Sequence, residues 1–204
     1  MGRQEQTNHL FSNRDLRILL VPLIVEQILN SLMGTADSIM VSNVGSAAIS
    51  AVSLVDSINI LVIQAFYALA AGGTIVCSQY IGQKDKKNAE ESARQLSFVV
   101  ACISSAVMAV CLLTRGPLLR LIFGSVEADV MEAAQSYFFY TALSFPFIAL
   151  YDAGSSIYRA QGNTRLPMTI AVVSNGLNIA GNAVLIWGFH LGVAGAAIAT
   201  LGSR

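Results

Sequence analysis

Apolar residues in this chain are gathered into long blocks, and these blocks, not amphipathic stripes, set its plan. Five are long enough to cross a bilayer, which takes about 18 residues or more: 16–41, 47–80, 96–113, 137–157 and 168–189. A sixth opens at Gly192 with Val-Ala-Gly-Ala-Ala-Ile-Ala-Thr-Leu and runs only to residue 204. It is too short to span, so the chain reads as truncated. Residues 1–15 are polar and form an expected cytoplasmic leader. The first block is too long and too acidic for the core of a cleavable signal, so it is expected to stay as an anchor. The predicted fold is all-α: a polytopic membrane protein in which residues 16–204 make one six-helix lobe.

Composition supports this reading. Of 204 residues, 54% are hydrophobic and 12% charged, with mean hydropathy +0.62. Soluble domains carry about twice that charged share. Formal net charge is zero, which gives no electrostatic footprint for a nucleic-acid partner. Cys77, Cys102 and Cys111 lie inside apolar blocks without CxxC spacing and read as buried free thiols. His9 and His190 have no partners spaced like metal ligands. No cofactor is expected on these grounds.

Loop charges predict an orientation. The leader has Arg3, Arg14 and Arg17, the second loop Lys84, Lys86, Lys87 and Arg94, and the fourth Arg159 and Arg165. The first loop (42–46) and the fifth, around His190, have no Lys or Arg. In the third, Arg115 and Arg120 are offset by Glu127, Asp129 and Glu132. Basic residues thus follow the parity of the connections, which places the N-terminus and the even loops in the cytoplasm. Small residues at Ala68, Ala70, Ala71, Gly72 and Gly73, and again at Gly192, Gly195, Ala196, Ala197 and Ala199, predict close helix packing. Pro22 and Pro146 lie inside blocks and predict bends or freed backbone carbonyls.

Four acids interrupt the apolar blocks: Glu26, Asp37, Asp56 and Asp152. On a helix, Glu26, Asn30, Met33 and Asp37 share one stripe, with the two acids about 16 Å apart along the axis. Such a stripe cannot face lipid, so it faces other helices or a wet cavity. Within twenty positions of Asp37 the only basic residue is Arg17. A proton, a cation or another helix must therefore meet its charge. Asp152 lies seven residues before Arg159, a spacing that allows a bridge, and Asp56 reads as a helix-end acid near the external interface. In the fifth block Asn175, Asn178 and Asn182, spaced i, i+3, i+7, form one polar stripe. They could be interhelical glue. Set against a carboxylate, they would instead supply hard oxygens for Na⁺ or hydrogen bonds to a protonated acid.

These residues also carry a resemblance. Met33-Gly34-Thr35-Ala36-Asp37-Ser38-Ile39-Met40-Val41, Ser78-Gln79-Tyr80-Ile81-Gly82-Gln83-Lys84-Asp85, residues 158–168 (YRAQGNTRLPM) and Gly192-Val193-Ala194-Gly195-Ala196-Ala197-Ile198-Ala199-Thr200 are similar to the N-terminal half of multidrug and toxic compound extrusion (MATE) transporters. The resemblance implies one lobe of a twelve-helix, two-lobe antiporter of the bacterial plasma membrane, exporting drugs or organic cations against Na⁺ or H⁺. It implies a coupling role, and a possible Na⁺ site, for Asp37, with Asn178, Asn182 and Thr200 as helpers. It leaves Glu26, Gln27, Asn30, Met33 and Asn175 as candidates for the substrate cavity. Many relatives carry an aspartate where Asn182 stands, so a relay of two carboxylates is not expected here. The expected partners are the bilayer, a small-molecule drug or organic cation, and a missing C-terminal lobe.

Other readings compete less well. A flippase for a lipid-linked precursor or polysaccharide, on a related fold, would line its cavity with basic residues to hold phosphates, and no mid-span Lys or Arg is expected here. Tyr151-Asp152 matches half of an intramembrane aspartyl protease site, but Gly34-Thr35-Ala36-Asp37 is not GxGD and stands in the wrong order, so no enzyme is expected. A non-transporting structural fragment is the remaining alternative.

Overall fold

The computed structural model describes residues 13–124 and 126–204. The leader at residues 1–12, with Arg3 and His9, lies outside the described residues. The remainder is helical: α1 (Asn13–Ser42), α2 (Ser46–Gly82), α3 (Lys86–Phe123), α4 (Ala128–Leu143), α5 (Phe145–Ala160), α6 (Arg165–Asn182), a π-helical segment (Ala183–Gly188) and α7 (Gly192–Ser203). Taking α4 with α5, and α6 with the π segment, gives the six helical segments of the expected lobe, the last of them only 12 residues long.

The helices outrun their apolar blocks. α3 has 38 residues, about 57 Å of helix, against a hydrocarbon core of about 30 Å. Its first turns carry Lys86, Lys87, Glu90, Glu91 and Arg94 and stay helical, with Arg94 and Glu91 paired at 2.9 Å. Hydropathy thus marks where α3 is dry, not where it ends. The fourth block is not one helix. It breaks at Ser144, and Pro146 sits in the first turn of α5, where its missing N–H leaves no helical bond unmade. Pro22, by contrast, is carried inside a continuous α1. Four segments, Leu16–Ser42, α2, α3 and Arg165–Gly188, are long and apolar enough to cross a membrane.

The large apolar residues are turned outward. Leu61, Phe98, Leu113 and Leu121 are 70–84% exposed, the pattern of a surface solvated by lipid tails. Inside, α2 is the hub, packed on α3, α4 and α5, while α1 lies on α6, α6 on α7, and α7 on α4. Val52, Val55, Phe66, Val100, Phe138 and Phe145 fill the centre, and the Phe66 and Phe145 rings meet edge to face at 6.0 Å. Close approach of α7 depends on small residues, as predicted. A Cβ on Gly195 would lie 3.1 Å from the Leu185 backbone, and one on Gly181 would lie 3.1 Å from Ala199 Cβ.

The two connections with the most distinctive sequence turn out to be helix ends. After α5, Gly162 N–H donates to Arg159 O and Asn163 N–H to Tyr158 O, both at 2.9 Å, with Gly162 at φ +79°. This is a Schellman stop. After α2 the same pair of bonds joins Lys84 to Ile81 and Asp85 to Tyr80, with Lys84 at φ +59°. Asp85 then caps α3 by accepting from Asn88 N–H at 3.2 Å. Contacts between loops and helix ends mark the two ends of the lobe. Thr164 Oγ1, in the fourth loop, donates to Ile18 O at the start of α1. At the opposite end Val44, in the first loop, packs beside Gly192 after the fifth.

Candidate functional site

Asp37 lies five residues before the end of α1, only 7% exposed. Its carboxylate closes a ring with one residue pair from α6 and one residue from α7. Asn182 Nδ2 donates to Asp37 Oδ1 and to Asn178 Oδ1 at 3.2 Å. Asn178 Nδ2 donates to Thr200 Oγ1 at 3.2 Å, and Thr200 Oγ1 donates to Asp37 Oδ2 at 3.5 Å. Asn178 and Asn182 are fully buried and Thr200 nearly so. The i, i+4 spacing of the two asparagines puts both amides on the face of α6 that meets α1 and α7. Every donation in the ring leads toward the carboxylate.

The ring therefore gives the Asp37 carboxyl neutral donors, with no basic residue among its described hydrogen-bond partners. It also retains one unused acceptor, since Asn182 Oδ1 is buried and without a partner. A carboxylate, two amide oxygens and a hydroxyl are the hard-oxygen set that an alkali cation takes. Asp37, Asn178, Asn182 and Thr200 are the residues that could hold a cation here, once the amides turn their oxygens toward it.

A second polar contact lies near the first. Asp56 Oδ1 accepts from Tyr137 of α4 and from Asn59, each at 3.3 Å. Asp56 is thus tied across to α4 in the interior, and the expected helix-end role at the external interface is corrected. Arg204 also points inward. Its Nη1 donates to Ser144 Oγ at the α4–α5 break, 3.0 Å away, and its charge acts on Asp37, Asp56 and Asp152. Arg204 thus brings a guanidinium beside the interior acids that the sequence reading did not count. Arg204 stands one turn beyond Thr200, and that i+4 spacing was the available signal.

The other predicted residues divide. Glu26 is buried, 3% exposed, but it bonds Arg159 and Tyr151 and takes no part in the Asp37 ring. Arg159 is consequently a lobe-interior cation and not a loop charge, and it bridges to Glu26 instead of Asp152. Asn175 is buried but turns its amide to Ala171 O of its own helix at 2.8 Å. Met33 is half-buried, while Gln27 and Asn30 are exposed on the open side of α1. Among the described residues no group of three or more His, Cys, Asp or Glu is placed to hold a metal. Cys77 and Cys111 are buried as expected, but Cys102 is exposed on α3.

The MatE family model matches residues 22–184, a stretch that includes Asp37, Asn178 and Asn182. The chain belongs to the MatE family. It is an integral membrane protein. This MatE chain is 34% identical over 200 residues to the uncharacterized transporter YisQ of Bacillus subtilis, covering 96% of this chain and 42% of that protein. It is 28% identical over 198 residues to the probable multidrug resistance protein NorM of Thermotoga maritima, covering 94% and 42%. Among solved structures it is similar to one described as MATE in complex with MaL6, with TM-score 0.88, 25% identity, and coverage of 93% of this chain and 42% of that one. Another, described as the outward-facing conformation of a multidrug resistance MATE family transporter of the MOP superfamily, has TM-score 0.86 with the same identity and coverage. The MatE chain spans less than half the length of these relatives.

Proposed function

We propose that this chain is one lobe of a secondary antiporter that exports drugs or organic cations in exchange for Na⁺ or H⁺, in a bacterial plasma membrane with the N-terminus cytoplasmic. The observation that carries the reading is the closed ring on Asp37, a buried carboxylate whose partners come from two other helices. The names of the relatives, an uncharacterized transporter and a probable multidrug resistance protein, support the substrate class.

The mechanism follows from donor and acceptor counts. With Asp37 anionic, Asn182 and Thr200 donate to it and tie α1 to α6 and α7. A proton on Asp37 removes acceptor capacity, and a Na⁺ would require the amides to present oxygen instead of N–H. Either ligand forces these donors to reorient, so occupancy changes the ties among the three helices. That is a local charge change acting on helix packing. A cationic substrate and the coupling ion then compete for one negative region, so binding one favours release of the other. Gln27 and Asn30, exposed on α1, are the proposed lining of the cavity between this lobe and a C-terminal lobe.

The interior charge favours this reading over the flippase. Glu26, Asp37, Asp56 and Asp152 face Arg159 and Arg204, so carboxylates outnumber guanidiniums. Arg204 is surrounded by acids and offers no free positive site for a phosphate. The test is uptake of a cationic dye into proteoliposomes holding the two-lobe protein, driven by an imposed Na⁺ or pH gradient. Uptake under either gradient, collapsing when that gradient is removed, is expected. Uptake that ignores both would refute the antiporter reading.

A further inference from the structure

We propose that Glu26, Tyr151, Asp152 and Arg159 form a second proton-binding site, separate from Asp37 and independent of any coupling role for it. The site lies toward the other end of α1, eleven residues or about 16 Å from Asp37 along the helix axis. Glu26 Oε1 accepts from Arg159 Nη2 at 2.5 Å. Tyr151 Oη stands 3.0 Å from the same oxygen and 3.3 Å from Pro167 O on α6. Three buried polar atoms there have no partner: Glu26 Oε2, Asp152 Oδ2 and Arg159 Nε. The Glu26 side chain, with its unpaired oxygen, is only 4% exposed.

The charge does not balance. Glu26 and Asp152 act on each other and share one adjacent cation, Arg159. The further cation acting on Asp152 is Arg204, whose charge is divided with Asp37 and Asp56. Among the described residues, the other titratable group facing the cluster is Tyr151, whose hydroxyl donates to Glu26. One carboxylate is therefore in excess in a water-poor interior, where a charge must be paired or neutralised. Proton uptake forms one O–H bond on the Asp152 carboxyl, whose buried Oδ2 has no partner among the described residues, and supplies a donor where an oxygen now lacks one. A metal cation is the poorer occupant. It needs about six oxygens and would sit against the Arg159 guanidinium, whereas a proton needs one oxygen.

The site makes the α1–α5 tie depend on protonation, at the end of the lobe remote from the Asp37 ring. Infrared difference spectroscopy of the full chain in lipid, titrated with acid, reads the C=O band of protonated carboxyls directly. Asp152 makes no direct hydrogen bond to the cluster, so Asp152→Asn keeps the Glu26–Arg159 pair and removes only the excess charge. The expected result is a titrating band that is lost in Asp152→Asn and Glu26→Gln and kept in Asp37→Asn. Folded Asp152→Asn and Glu26→Gln proteins whose spectra superimpose on the wild type would overturn the proposal. So would a band that NaCl at constant pH removes as acid-to-base titration does, because that would make the ligand Na⁺.

Discussion

At the scale of single residues, two buried acids on one helix have been given opposite solutions. Asp37 is held by neutral donors, Glu26 by a guanidinium. The first arrangement leaves the charge open to an added cation, whereas the second fixes it. Thr200 donates to Asp37 and accepts from Asn178, so the isosteric Thr200→Val leaves a buried donor and a buried carboxylate oxygen unpaired. The expected loss is about 1–3 kcal/mol, read as a lowered unfolding midpoint in detergent. For the other acid, Glu26→Gln or Arg159→Gln alone breaks a buried pair at a cost of about 3–5 kcal/mol. The double variant is expected to lose less than the sum of the two, and strict additivity in the cycle would contradict the pairing. Asp37 and the α6 amides stood out in the sequence because Asp37 has no local counter-charge and the amides recur on one helical face, whereas Thr200 entered only through the family resemblance. Asn175 misled because the i to i+7 stripe is about 10 Å long, more than one carboxylate can gather. The Glu26–Arg159 pair was not legible, since its members are 133 positions apart and Arg159 sits among loop-like residues.

At the scale of elements, hydropathy located the membrane passes but not the helix ends or the breaks. Charged first turns continue α3 beyond its apolar block, and the Ser144 break and the π segment leave little trace in apolar content. The π segment follows Asn182 directly, and π turns often stand at functional sites. Here it also offers the backbone on which α7 rests. Gly195→Leu would drive a side chain into Leu185, so α7 and Thr200 are expected to move away from Asp37. The expected penalty is about 1–3 kcal/mol, measured by thermal unfolding, with loss of transport in the two-lobe protein. At the end of α2, Lys84 holds the left-handed position of a Schellman stop, which glycine occupies without strain. Lys84→Gly is expected to raise stability by about 0.5–1 kcal/mol, and a lowered unfolding midpoint would contradict the assignment of that turn.

At the scale of the whole molecule, the lobe is built around a difference between its surfaces. Its exterior is apolar, its interior carries the paired and ringed acids, and one side of α1 leaves Gln27 and Asn30 uncovered. An exposed amide on a membrane pass cannot face lipid without cost, so that side is the proposed boundary with a second lobe. The all-α plan and the long apolar segments were readable from hydropathy, four of them long enough to cross a membrane. The packing order, with α2 as hub and α1 set on α6, was not, because lipid-facing and protein-facing apolar residues look alike in sequence. The most direct test of the central claim is ion-driven efflux of a fluorescent cationic dye by the two-lobe protein, comparing wild type with Asp37→Asn at equal membrane abundance. A carboxylate that couples ion to substrate predicts at least a tenfold loss, about 1.4 kcal/mol or more, while efflux at the wild-type rate would show that Asp37 is only a structural partner of Asn182 and Thr200.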